Sequence, residues 1–193
     1  DGINWRNGGL GKNLFNKVNG FSKNNNNQYI LALGEGTNNT IAYSRDGITW
    51  NDTSNSKDIF TEHGNSAIYF NKYNIWIALG KGTNSIATSN DGITWTPQGN
   101  ELLMEGKDIA ANNDLIIAVG TPISNGTGSI IYSYDGVYWY VASNNVLNNC
   151  TSILWTGKIW IALGDSNIYK IAISENGTNW SGLTNSSSLF SDR

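Results

Sequence analysis

SRDGITW, residues 44–50, returns as SNDGITW at 89–95, SYDGVYW at 133–139 and SENGTNW at 174–180, and the chain itself starts with DGINW at 1–5. The tryptophans of these copies fall at Trp5, Trp50, Trp95, Trp139 and Trp180, spaced 45, 45, 44 and 41 residues apart. A near-constant period of this length decides the architecture before any local propensity does. Two further blocks travel with it: ILALG (30–34), WIALG (76–80), IIAVG (116–120) and WIALG (160–164), then TIAYS, SIATS, SIIYS and KIAIS ending at Ser44, Ser89, Ser133 and Ser174. Each block is short, rich in Ile, Trp and Tyr, and bounded by Gly, Asn or Asp, which reads as strands joined by tight turns.

One period therefore holds four strands. The first lies in segments such as NSAIYF (65–70) or KDIAA (107–111), the second at the ALG block, the third ends at the Ser, and the fourth begins at the Trp. Four strands per 41–45 residues is the blade of a β-propeller. The expectation is an all-β fold, residues 1–193 forming one domain of four complete four-stranded blades and a partial fifth. A β-solenoid fits less well, because its coils repeat at shorter periods. The two ends predict membership of a longer ring: Asp1 to Trp5 align with Asp46 to Trp50 with no strands before them, and Ser188-Leu189-Phe190 align with Asp58-Ile59-Phe60.

Within S-x-D-G-x-x-W every residue has a mechanical task. The Asp carboxylate and Ser hydroxyl accept turn N–H groups that no ladder pairs. Gly supplies positive φ, and the Trp is expected to be buried, with its indole N–H requiring one acceptor. The motif resembles the BNR or Asp-box repeats of sialidase-like propellers, whose pattern is S-x-D-x-G-x-x-W. Here Asp and Gly are adjacent at Asp46-Gly47, Asp91-Gly92 and Asp135-Gly136, and Asn176 replaces the Asp in the last copy. The resemblance implies that these turns join the third and fourth strands, on the face away from the ligand.

Composition narrows the function. Only 14% of residues are charged and the net charge is −3, which argues against a phosphate-binding groove, so nucleic acid is not an expected partner. Membrane insertion is not expected either, since no apolar run reaches the 18 or so residues of a span. With three arginines, Arg6, Arg45 and Arg193, the carboxylate clamp of a sialidase cannot be assembled. The single histidine, His63, and single cysteine, Cys150, stand without a nucleophile–base constellation; His63 reads as a surface-loop residue and Cys150 as buried. GDSN (164–167) could offer oxygens to a calcium ion, but it reads better as a plain Asn-containing turn. The expectation is a chain with no catalytic residues, no metal and no cofactor.

The repeated positions are explained by folding, so function is expected in the variable pieces. The segments joining second and third strands share an end with the linkers between blades and are polar, Asn-rich and nearly uncharged. Ligand contacts are expected near Glu35, Asn38, Lys81, Asn84, Asn125 and Asp165. Amides offer donors and acceptors together, and repeated polar loops suit multivalent contact. The reading is a non-catalytic recognition module, extracellular or virion-associated, that binds carbohydrate or a protein surface. The alternative is a structural or assembly component of a virus particle or fibre, where propeller repeats resembling these occur; a glycosidase-like enzyme stands third. A lectin would repeat Trp or Tyr at equivalent loop positions, and these loops carry only Tyr169.

Overall fold

A computed structural model describes residues 14–24, 29–124 and 127–189. Half of it is strand, 50% against 4% helix. Blade 1 holds β1 (Lys17–Lys23), β2 (Ile30–Glu35), β3 (Ile41–Ser44) and β4 (Trp50–Asp52), followed by a helical turn, α1 (Ser56–Ile59). Blade 2 holds β5 (His63–Phe70), β6 (Ile75–Lys81), β7 (Ile86–Ser89) and β8 (Thr96–Pro97). Blade 3 holds β9 (Leu103–Ala111), β10 (Ile116–Pro122), β11 (Ile130–Ser133) and β12 (Trp139–Val141). Blade 4 holds β13 (Asn149–Trp155), β14 (Trp160–Asp165), β15 (Ile171–Ser174) and β16 (Ser181–Gly182), and α2 (Ser186–Leu189) repeats the helical turn. Every blade is an antiparallel meander, and blades 2 and 3 are stitched into one sheet by the Lys81–Glu105 pairing. The four expected blades are present; the fifth, Asp1 to Trp5, lies outside the described residues.

The blades stack through alternating faces of their second strands. Leu31 and Leu33 of β2 meet Trp76 and Ala78 of β6. Ile77 and Leu79 of β6 meet Ile116 and Ala118 of β10, and Ile117 and Val119 of β10 meet Trp160 and Ala162 of β14. A strand buried on both faces reads as a continuous apolar run rather than an alternating one, which is why the ALG blocks carry so little polarity.

The glycine ending each block has a separate cause. Every first strand carries a one-residue bulge, at Asn19, Asn65, Lys107 and Thr151. The bulge drives a carbonyl against the second strand: a Cβ at Gly34, Gly120 or Gly164 would collide with the carbonyl oxygen of Lys17, Glu105 or Asn149.

Two expectations need correcting. Trp95 and Trp180 are buried, but Trp50 and Trp139 are only half-buried. At the buried pair the preceding linker grips the Trp backbone: Asn55 Nδ2 donates to the Trp95 carbonyl at 2.7 Å, and the Trp180 N–H donates to the Ser143 carbonyl at 3.3 Å. His63 is no loop residue; it opens β5 and is half-buried.

Candidate functional site

Because each blade runs up and down, the turns between first and second strands share one end with the S-x-D-G-x-x-W turns. The turns between second and third strands share the other end with the linkers.

The linker end carries the positions singled out in the sequence. Glu35 and Asn38 are exposed on blade 1. Lys81 ends β6 with its Nζ 2.7 Å from Glu62 Oε2, an ion pair that raises the lysine pKa above its ordinary value through a hydrogen bond and Coulomb attraction. Asn84 is half-buried and spends both its N–H and its side-chain amide on the Ile59 carbonyl, at 3.0 and 3.4 Å, so it holds the linker in place. Asp165 is exposed and paired with Lys170 at 2.9 Å. Asn125 lies outside the described residues. These groups are spread over blades 1, 2 and 4 at one end.

Polar contacts converge along the inner strands, through Asn19, Asn65, Glu105 and Asp108, which carry no motif in the sequence, and through His63. Asn19 donates to the Gly64 carbonyl at 2.9 Å and to Asn65 Oδ1 at 3.2 Å. Asn65 donates in turn to the Gly106 carbonyl at 2.9 Å and to Glu105 Oε1 at 3.3 Å, the oxygen that His63 Nε2 approaches at 3.2 Å. One step further along, Asp108 joins three blades: Ser66 Oγ donates to its Oδ1 at 3.1 Å, while Ser152 Oγ and the Ile153 N–H donate to its Oδ2 at 2.9 and 3.0 Å. Cys150 is fully buried nearby, and burial pushes its thiol pKa up to about 12. It is a packing residue.

At the opposite end a groove of about 800 Å³ runs across blades 2, 3 and 4. Tyr69, Ala111 and Trp155 hold the same position on β5, β9 and β13, and the hairpin tips with Asn71 and Asn113 rim the groove. Lys72 and Asp114 meet across its mouth at 2.8 Å. The sequence signal was available: Tyr69 faces Trp76 and Trp155 faces Trp160 as direct cross-strand partners, two aromatic pairs closing equivalent hairpins.

The fold is that of known propellers. A glycoside hydrolase of family GH74 from Niastella koreensis aligns with TM-score 0.58 and 17% identity, over 87% of this chain and 24% of that one. A chain of a nidogen/laminin complex aligns with TM-score 0.63 and 9% identity, over 83% of this chain and 61% of its own. A chain of a mitotic checkpoint complex aligns with TM-score 0.60 and 10% identity, over 86% and 50%. The chain thus spans less than two thirds of the length of each. No protein-family model matches the sequence, and no curated protein matches it.

Proposed function

We propose that the chain is a non-catalytic recognition propeller, a short variant of the Asp-box repeat that docks a protein surface on its linker end. The observation that carries this is the chemistry of that end: exposed polar residues on two blades, Glu35 and Asn38 on blade 1 and Asp165 on blade 4, with charges held as the pairs Lys81–Glu62 and Lys170–Asp165. Groups dispersed over rigid blades suit a broad, weakly charged partner rather than one small substrate. Propellers of this fold occur in glycoside hydrolases and in protein complexes alike, so fold decides nothing here and the site must.

The test is capture of partners by the protein and by the quadruple variant Glu35→Ala, Asn38→Ala, Lys81→Ala, Asp165→Ala, with melting temperature as control. A partner retained by the parent and lost by the equally stable variant supports the reading. Turnover of chromogenic glycosides by the pure protein overturns it, as does loss of the partner with Asp46 or Asp91 variants instead.

A second reading, an assembly component, rests on blade 4. Its β14 face equivalent to Ile77 and Leu79 leaves Leu163 39% exposed, next to Leu154 at 58%. Concentration-dependent self-association abolished by Leu154→Ser with Leu163→Ser would favour it.

A further inference from the structure

We infer that the groove over Ala111 is a binding site for a neutral oligosaccharide, separate from the linker end and independent of the protein-docking reading. Three observations converge on it.

The first is shape. On β5 and β13 the position holds Tyr69 and Trp155, and on β9, between them, it holds Ala111. The missing ring opens a slot bounded on both sides by aromatic surface, and the cavity there measures about 800 Å³, the size range of sites that enclose small ligands.

The second is rigidity. Tyr69 rests edge-on against Trp76 with centroids 5.1 Å apart, and Trp155 lies on Trp160 at 4.8 Å. Trp76 and Trp160 are 1% and 0% exposed, so each wall is fixed on the core by an aromatic contact. Asp108, three residues before Ala111, ties β9 to Ser66 and Ser152 and sets the spacing of the walls. Little ordering remains to be done on binding.

The third is polarity. The rim carries the amides of Asn71 and Asn113, neither of which makes a side-chain hydrogen bond among the described residues, and each offers donors and an acceptor. Its charges, Lys72 and Asp114, cancel in one ion pair. Apolar ring faces beside groups that both donate and accept match a pyranose, which presents C–H faces and hydroxyls. A proline-rich peptide would use the aromatic walls but only the donor half of each amide.

The experiment is titration of tryptophan fluorescence and calorimetry with cellohexaose, xylohexaose, mannohexaose and chitohexaose, beside a sialylated trisaccharide and a proline-rich decapeptide. The expected result is binding of at least one neutral hexasaccharide with Kd below about 1 mM. Ala111→Phe, which fills the slot, and Trp155→Ala should each weaken it about tenfold or more, while Tyr138→Ala on the outer surface changes nothing. Ala111→Phe removes no contact, so it decides the matter if Trp155→Ala misfolds. No binding by any neutral hexasaccharide, binding that survives Ala111→Phe, or stronger binding of the sialoside or the peptide overturns the assignment. None of these results touches the docking reading, which is read at Glu35, Asn38, Lys81 and Asp165.

Discussion

Trp95 and Trp180 hold equivalent positions and are 2% and 1% exposed, yet their indole N–H groups fare differently. The indole of Trp180 donates to the Gly177 carbonyl at 3.0 Å, whereas the Trp95 indole N–H is buried with no acceptor among the described residues. Replacing each by Phe removes similar volume, but only Trp180→Phe also loses a hydrogen bond; it should cost about 1 kcal/mol more than Trp95→Phe in urea unfolding. Equal costs would show that the Trp95 indole finds a partner in solution. Cys150 offers a second check. With its pKa pushed up to about 12 by burial, the thiol stays neutral at pH 8 and should ignore Ellman's reagent until the chain unfolds. Rapid labelling of the native protein would contradict this. The burial of Cys150 was legible in the sequence because it leads into the apolar run SILW (152–155). The orphaned indole was not, since it depends on where one carbonyl points after folding.

The four hairpins between third and fourth strands repeat one bonding scheme. At the first, Asp46 Oδ1 accepts the N–H groups of Ile48 and Thr49 at 2.8 and 2.7 Å, Ser44 Oγ accepts that of Gly47 at 2.9 Å, and Gly47 sits at φ +74°. The backbone donors of Thr49 and Ile48 lower the Asp46 pKa to about 2. At Asp91 and Asp135 burial acts upward, but the equivalent N–H groups and serines outweigh it and the net shift is downward. A depressed carboxylate contributes stability that is complete above its unfolded value and lost as pH falls through the folded one. The protein should therefore lose stability between about pH 4 and pH 2. Asn176 makes the same bonds at 3.0 Å in the fourth turn without titrating. The triple variant Asp46→Asn, Asp91→Asn, Asp135→Asn should then fold normally and show a flatter stability profile over that range, measured by denaturant titration at each pH. An unchanged slope would assign the acid sensitivity elsewhere. These turns were legible in the sequence almost completely, because the partners of the turn N–H groups lie within three residues. The bulges at Asn19, Asn65, Lys107 and Thr151 were invisible to it: the glycine they demand sits on another strand, 13 to 15 residues away.

Between blades, the polar contacts converge on Asp108, which reaches residues 42 and 44 positions away on both neighbours. Asp108→Ala strands two hydroxyls and the N–H groups of Ile109 and Ile153 and should cost about 3 kcal/mol. Asp108→Asn should cost less, since an amide oxygen serves Ile153 and its NH2 can donate to Ser66. If the two variants melt alike, the carboxylate is no brace between blades. Blade number and strand order were legible because each blade restates one pattern. The groove and its brace were not, because they arise where the copies differ: Ala111 against Tyr69 and Trp155, Asp108 against Ser66 and Ser152. Regularity reveals the scaffold and conceals what is mounted on it.

The alternating stacking of second strands has a mechanical consequence. Buried apolar contact links each blade to its immediate neighbours, with interfaces arranged one after another along the chain. Tension applied to the two termini loads these interfaces in series, so the weakest yields first and relieves the rest. Force spectroscopy should record a sawtooth rather than a single rupture, each tooth releasing about 44 residues and ~150 Å of contour length.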